Sequence, residues 1–144
     1  MLTVRASTPG DGARVLAIWR DAVDATHDFL TPEDRRAIGE EVAGFLPQAK
    51  LWLAVDEREW PVGFMLLDGA HMEALFVDPE WHGRGVGQRL VAHALALHPV
   101  LTTDVNAQNA RAVGFYERLG FVATGRSPLD GQGRAYPLIH LRRG

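Results

Sequence analysis

Residues 75–90, with the sequence LFVDPEWHGRGVGQRL, restrict the possible folds of this chain more than any other stretch. The segment opens with apolar residues that are typical of a buried strand. The pair Asp78-Pro79 ends this strand, because proline lacks the N–H that a β-ladder needs and restricts the residue before it. A loop rich in glycine follows, and apolar residues then recur at helical spacing. The segment therefore predicts a strand, a loop and a helix in an α/β arrangement.

The three glycines of this loop, Gly83, Gly85 and Gly87, predict a site for an anion. Glycine inside a helix costs about 1 kcal/mol relative to alanine, so its placement here needs a compensating role. Backbone without Cβ lets a ligand approach successive N–H groups, and a helix N terminus carries about half a positive charge. Arg84 and Arg89 add side chains that prefer anions. We expect a bound phosphate or pyrophosphate, and the alternative is a glycine-rich turn without a ligand.

Two other phosphate-binding loops fit the spacing less well. A dinucleotide fingerprint is G-x-G-x-x-G, whereas this loop runs G-x-G-x-G. Asp104 nevertheless lies downstream at roughly the distance of about 20 residues at which such folds place a ribose-binding acid, so this alternative stays open. A Walker A loop ends in Gly-Lys followed by Ser or Thr, and Gly87-Gln88 does not supply that ending.

Two motifs resemble those of the GNAT N-acetyltransferases. Residues 82–87, HGRGVG, resemble that family's pyrophosphate loop, Gln/Arg-x-x-Gly-x-Gly/Ala, with His82 in place of the usual Gln or Arg. The loop works mainly through backbone amides, so this departure weakens the match only slightly. Residues 109–121, NARAVGFYERLGF, match the family pattern N-x-x-A-x-x-F-Y-x-x-x-G-F. Both motifs occur in the family's order and spacing, and the resemblance to a small single-domain bacterial-type member covers most of the chain.

The resemblance implies an acetyl-CoA-dependent N-acetyltransferase that moves an acetyl group directly to a primary amine, without a covalent enzyme intermediate. The acceptor would be a protein lysine or N terminus, or a small amine such as a polyamine, an amino acid or an antibiotic. The short chain leaves little room for an elaborate acceptor pocket, which favours a peptide. The alternative is a non-catalytic acyl-CoA-binding sensor or partner-binding module, and the retention of Tyr116 beside Glu73 argues against it.

The same resemblance implies where the cofactor binds. Its diphosphate would lie on the loop amides. Its pantetheine arm would enter between two parallel strands that splay apart at one end, and would hydrogen-bond to the strand edge at residues 75–77. Asn109 would cap a helix and contact the arm, and Asn106 is a weaker candidate. The implied cofactor-binding residues are Leu75, Phe76, Val77, His82, Gly83, Arg84, Gly85, Val86, Gly87, Gln88, Asn106, Asn109, Ala112, Phe115 and Tyr116.

Acetyl transfer to an amine requires a proton acceptor, stabilisation of the carbonyl oxygen and a proton for the departing thiolate. The backbone N–H of Phe76 or Val77 could polarise the carbonyl. By resemblance, Tyr116 donates a proton to the sulfur; the alternative is a core aromatic residue with its hydroxyl at the surface. His71 and Glu73 are the candidate bases.

His71 and Glu73 share one face of a predicted strand, because residues two apart in a strand point the same way. A carboxylate is costly to bury unpaired, and an imidazole has a suitable intrinsic pKa. The alternative is that Glu73 pairs with an arginine and His71 only ends the strand. The segment containing His27 and Phe29 would lie on the acceptor side by resemblance, or would be a surface loop without substrate contact.

Hydrophobic periodicity and turn signals predict the order β-α-α-β-β-β-α-β-α-β-β, which is that of a GNAT fold. This α/β (α+β) fold has a mixed, mostly antiparallel seven-stranded sheet and about four helices, within a single N-acetyltransferase domain over residues 1–144. The predicted strands cover residues 2–6, 50–56, 62–68, 71–77, 100–105, 121–124 and 135–141. Thr31 and Asn109 are predicted helix caps, and Ile38, Val42, Phe45 and Leu46 a buried helical stripe.

Composition limits the remaining classes of function. The net charge is −3 and the pI is near 6.0, so no global basic field is present to hold nucleic acid. The absence of cysteine excludes a disulfide framework and a cysteine zinc site, and His93 and His98 lack metal spacing, so no metal is expected. No signal peptide pattern and no apolar run of about 20 residues is present, so we expect a cytoplasmic protein without membrane contact. It would be a monomer or a homodimer.

Overall fold

The computed structural model describes residues Met1–Gly144 and confirms the predicted order of elements. The seven strands are β1 (Thr3–Ala6), β2 (Trp52–Val55), β3 (Pro61–Asp68), β4 (His71–Val77), β5 (Leu101–Asn106), β6 (Val122–Ser127) and β7 (Leu138–Arg143). The four α-helices are α1 (Gly12–Thr26), α2 (Pro32–Phe45), α3 (Val86–Leu97) and α4 (Ala110–Arg118).

The strands form one seven-stranded sheet in the order β1-β2-β3-β4-β5-β7-β6. Strands β4 and β5 are parallel and pair His71 with Thr102 and Met72 with Thr103. The pairs β1–β2, β2–β3, β5–β7 and β6–β7 are antiparallel. The sheet is therefore mixed and mostly antiparallel, as the sequence predicts.

The chain divides into two compact units. The first consists of Met1–Leu66 and Ala74–His93, and the second of Leu67–Glu73 and Ala94–Gly144. The glycine loop and the first two helices belong to the first unit, whereas β5, β6, β7 and α4 belong to the second. Strand β4 begins in the second unit and continues into the first.

Helix α1 supplies much of the core of the first unit. Its apolar residues recur three or four positions apart, which places them on one helical face. They pack with strand residues in a cluster that contains Val15, Ile18, Trp19, Val23, Leu46, Leu51, Leu53, Val55 and Phe64. Complete burial of such a side chain contributes about 1.5–3 kcal/mol, so this face fixes α1 against the sheet.

Helix α2 begins where the sequence predicts, but its buried residues differ from the predicted stripe. The Thr31 side chain accepts a hydrogen bond from the Asp34 N–H at 3.1 Å, and Pro32 occupies the first turn. Burial of Phe45 was predicted and is wrong, because its side chain is 50% exposed. The helix ends at Phe45, and Leu46 in the following 3-10 turn enters the core instead.

The second unit is built around β5, which pairs with β7 along its whole length from Leu101↔Arg143 to Asn106↔Leu138. Strand β6 extends to Ser127, three residues beyond the predicted end at residue 124. Five of its six residues are exposed, so it lacks the apolar alternation that reveals a strand in sequence. Its pairing with β7 supplies the hydrogen bonds that define it. None of the helices combines the length and apolar composition required to cross a bilayer.

Candidate active site

The three glycines of the loop differ in backbone conformation. Gly83 and Gly85 have φ angles of 77° and 79°, a left-handed conformation that side chains disfavour. A Cβ at either position would meet nothing within 4 Å, so their backbone faces open space. Gly87 instead lies in the first turn of α3. Backbone conformation therefore requires the first two glycines.

The first turn of α3 carries free amides. The Arg89 N–H bonds the Gly85 carbonyl at 2.9 Å, so the amides of residues 86–88 precede the first helical hydrogen bond. Together with the helix dipole they form a positive end that favours an anion. The His82 amide donates to Pro79 O at 3.2 Å, and the exposed Arg84 guanidinium lies over the Trp81 ring, 4.9 Å from its centroid.

Asp78 positions this loop, a role that the sequence analysis did not assign to it. Its Oδ1 accepts from the Glu80 N–H at 3.0 Å, and its Oδ2 accepts from the Arg14 guanidinium at 2.7 Å. Arg14 also donates to Pro61 O at 2.9 Å. The carboxylate is buried, so the paired arginine offsets the cost of removing its charge from water. The sequence signal that could have revealed this role is an Asp-Pro pair between an apolar strand and a glycine loop.

The end of β4 lies among aromatic side chains. The Phe76 ring is 5.6 Å from the Phe64 ring and 6.2 Å from the His27 ring, measured between centroids. Leu75, Phe76 and Val77 are all partly buried. The structure thus brings the predicted acceptor-side residue His27 to the predicted carbonyl-polarising segment.

His27 ends α1 and is held at several points. Its backbone N–H donates to Val23 O at 2.8 Å, its Nδ1 lies 2.7 Å from Thr26 Oγ1, and its ring packs on Phe29 at 5.2 Å between centroids. Burial lowers the pKa of His27 below its usual value, and the Asp28 charge opposes that shift. At neutral pH the imidazole is therefore uncharged.

Tyr116 is buried in the second unit, with 6% of its surface exposed. Its ring meets Phe115 and Phe121 edge-on, with centroids 5.2 Å and 5.3 Å away. Burial raises the pKa of the Tyr116 phenol well above its usual range, and a hydrogen bond with Thr103 partly offsets the rise. The phenol therefore keeps its proton at neutral pH, as a proton donor must.

His71 belongs to a chain of hydrogen bonds across β4, β5, β7 and β6. Its Nδ1 lies 2.7 Å from Thr102 Oγ1, and its Nε2 lies 3.3 Å from Asp104 Oδ2. Because a carboxylate only accepts, Nε2 carries the proton in the neutral ring and Nδ1 accepts from the Thr102 hydroxyl. Both ring nitrogens of His71 are thus engaged within the protein.

His140 lies at the other end of this series of polar contacts. Its Nδ1 lies 2.6 Å from Asp104 Oδ1 and its Nε2 lies 2.6 Å from Ser127 Oγ. Serine, histidine and aspartate follow one another here as in a hydrolase triad. However, Asp104 is shared with His71, and Pro128 follows Ser127 and has no N–H to offer a developing oxyanion. The arrangement links the strands through Asp104, which already contacts two histidines.

The remaining predicted residues lie in different surroundings. Glu73 is exposed, so water solvates its carboxylate and burial does not require an arginine to neutralise it. The Asn109 side chain accepts from the Ala112 N–H at 3.2 Å, which confirms the predicted cap of α4. The Asn106 side chain accepts from the Gln108 N–H at 3.0 Å. Ala112 and Phe115 are partly buried in α4.

The chain belongs to the acetyltransferase (GNAT) domain family, whose family model matches residues 20–135. It is 54% identical over 141 residues to the peptidyl-lysine N-acetyltransferase YjaB of Salmonella typhimurium, covering 98% of this chain and 97% of the relative.

Solved structures show the same fold. The solution structure of apo YjaB from Escherichia coli has a TM-score of 0.95 and 54% identity, covering 99% of this chain and 97% of that one. The structure of YncA from Salmonella typhimurium with its cofactor acetyl-CoA has a TM-score of 0.65 and 21% identity, covering 99% of this chain and 93% of that one. At the latter identity the similarity supports the fold alone.

Proposed function

We propose that this acetyltransferase moves the acetyl group of acetyl-CoA to the ε-amino group of a peptidyl lysine. The carrying observation is the glycine loop, where two left-handed glycines open onto the free amides of α3. The acceptor class is supported by the 54% identity to peptidyl-lysine N-acetyltransferase YjaB over almost the whole chain. The cofactor is supported by the acetyl-CoA bound to YncA, which shares this fold.

In this proposal the diphosphate of acetyl-CoA lies on the amides of the loop and of residues 86–88. The pantetheine arm runs along residues 75–77, where the Phe76 or Val77 amide polarises the thioester carbonyl. Asn106 and Asn109 use their side-chain oxygens for local backbone contacts, which leaves their NH₂ groups to donate to the arm. Arg84 stays exposed beside the loop and adds positive charge.

The transfer proceeds directly between cofactor and acceptor. The uncharged acceptor nitrogen forms a bond with the carbonyl carbon and loses one proton to a base. The C–S bond breaks, the Tyr116 phenol gives its proton to the leaving thiolate, and the tyrosinate regains a proton from solvent. The Tyr116 phenol carries its proton at neutral pH, with a pKa that burial raises further. The chain acts as a single N-acetyltransferase domain over residues 1–144, and a cytoplasmic location without nucleic-acid partners stays a prediction.

The test measures coenzyme A release from acetyl-CoA with a panel of lysine peptides, peptide N termini and small amines. We expect release with lysine peptides and an acetyl group on the lysine by mass spectrometry. Gly85→Val should abolish acetyl-CoA binding, because a β-branched residue is strongly disfavoured at a φ of 79°. Gly131→Val, at an open loop position with nothing within 4 Å of its Cβ, is the matched control. Tight binding without release on any amine would favour a non-catalytic acyl-CoA-binding module instead.

A further inference from the structure

The proton acceptor for the attacking amine follows from the hydrogen bonds of the histidines. Both ring nitrogens of His71 face polar groups, since Nδ1 lies 2.7 Å from Thr102 Oγ1 and Nε2 lies 3.3 Å from Asp104 Oδ2. The carboxylate favours the proton on Nε2, which directs the lone pair of Nδ1 to the Thr102 hydroxyl. Glu73 is exposed, so its carboxylate is solvated and water competes for any group that would position it. His27 was predicted only as a residue on the acceptor side. Unlike Glu73 it is held in place by neighbours, and unlike His71 it has a polar partner on one ring nitrogen only.

The tautomer of His27 is fixed by Thr26. The Thr26 hydroxyl is 2.7 Å from Ala22 O, and a carbonyl only accepts, so the single hydroxyl proton is used there. Thr26 Oγ1 then has only lone pairs to offer His27 Nδ1, which lies 2.7 Å away. Nδ1 must therefore carry the ring proton, and the lone pair of the neutral imidazole is on Nε2. The hydrogen bond of the His27 ring is made by Nδ1, which leaves Nε2 for a ligand.

The His27 ring lies beside the strand segment that is proposed to hold the thioester carbonyl. The His27 ring packs on the Phe76 ring with centroids 6.2 Å apart, and the Phe76 amide is a proposed contact of the thioester carbonyl. In this arrangement an amine that attacks a carbonyl held there would pass its proton to the ring directly or through one water. The backbone cap at the end of α1 and the Phe29 ring keep the imidazole in place.

We propose that His27 is the catalytic base, and that its Nε2 accepts a proton from the acceptor nitrogen as the new C–N bond forms. This inference rests on the proposed N-acetyltransferase function. The amine enters uncharged after losing its first proton to water. Its second proton passes to Nε2 as the C–N bond forms and the tetrahedral intermediate arises, and the imidazolium then returns that proton to water.

The uncharged ring at neutral pH agrees with this role. Burial lowers the pKa of His27, and the Asp28 carboxylate, which opposes the shift, is the charged group acting on it. The other neighbours, Thr26, Phe29 and Phe76, carry no charge. The acid limb of kcat/KM should therefore lie below the usual histidine value of about 6.5, because the base loses its lone pair on protonation.

The experiment compares His27→Gln and His27→Ala with wild type on a lysine peptide, from about pH 5 to 8. We expect kcat to fall by about 100-fold or more and the acid limb to disappear, with acetyl-CoA binding by calorimetry unchanged. Added imidazole should restore part of the rate of His27→Ala, which a purely structural role of the ring does not allow. Thr26→Val should lower kcat several-fold, because without the Thr26 hydroxyl the His27 ring can adopt the other tautomer.

Two controls separate the outcomes. His98→Gln, at the end of α3, should keep the wild-type profile, and His71→Gln should keep the acid limb. An acid limb that persists in His27→Gln, or that disappears in His71→Gln instead, overturns the assignment. Wild-type protein that binds acetyl-CoA but acetylates no amine refutes the proposed function, and this inference with it.

Discussion

At the scale of single residues, hydrogen-bond partners distinguish side chains that look alike in sequence. His71 and His27 are both histidines near predicted strand or helix ends. Only the contacts show that Thr102 and Asp104 lie beside the two nitrogens of the His71 ring, whereas Thr26 contacts one nitrogen of the His27 ring. Such contacts join residues far apart in the chain, and no local pattern encodes them.

Tyr116 carries the first prediction at this scale. Tyr116→Phe removes only the phenol hydroxyl, so it should lower kcat by about 100-fold or more if that group protonates the thiolate. The ring contacts with Phe115 and Phe121 remain, and the variant should fold and bind acetyl-CoA as wild type does. Steady-state kinetics with lysine peptide and calorimetry with acetyl-CoA are the measurements. Unchanged turnover would remove Tyr116 from the mechanism.

At the scale of elements, local signals predicted the beginnings of helices better than the ends of strands. The caps at Thr31 and Asn109 were predicted because a cap depends on residues within one turn. Strand β6 was predicted too short, because its exposed residues show no alternation and its partner β7 lies later in the chain. The end of β6 is therefore set by its hydrogen bonds with β7, which the local sequence pattern does not record.

Gly63 shows how closely β3 and α3 pack. A Cβ at this position would lie 2.7 Å from Val86 Cγ1, 3.2 Å from Phe76 O and 3.4 Å from Leu90 Cδ1. Val86 and Leu90 are fully buried on α3, so they have little space to move. This glycine therefore sets the distance between the strand and the helix whose N terminus forms the anion site.

Gly63→Ala should destabilise the protein by about 1–3 kcal/mol through overpacking. Gly44→Ala is the control, because nothing lies within 4 Å of its Cβ and alanine in a helix gains about 0.5–1 kcal/mol over glycine. Urea unfolding of both variants gives the free energies. Equal stability of Gly63→Ala and wild type would mean that β3 and α3 are less tightly packed than described.

At the scale of the whole molecule, the pH dependence of folding reflects its ion pairs. The Arg5 guanidinium, 2.9 Å from Asp11 Oδ2, lowers the pKa of that carboxyl to about 2, with further hydrogen bonds from Thr8. A lowered native pKa stabilises the fold above the unfolded value of about 3.9, and the stabilisation is lost as pH falls towards the native value.

Asp11→Asn should therefore reduce the loss of folding free energy between about pH 4 and pH 2 while lowering stability at neutral pH. Chemical unfolding at several pH values in that range gives the difference between variant and wild type. Asp21→Asn, on the exposed side of α1, is a control that changes the net charge equally. Parallel pH curves for Asp11→Asn and wild type would contradict the role of the Arg5 pair.

The sequence by itself determined the order of strands and helices, the glycine loop before α3, the helix caps and the family. These features depend on residues that are neighbours in the chain, and hydrophobic periodicity and turn chemistry record them locally. Tertiary structure alone decided that Asp78 is held by Arg14, that Asp104 is shared by two histidines, and that the His27 ring meets Phe76. These contacts exist only after packing has brought distant segments together, and they determine which side chain keeps a free lone pair.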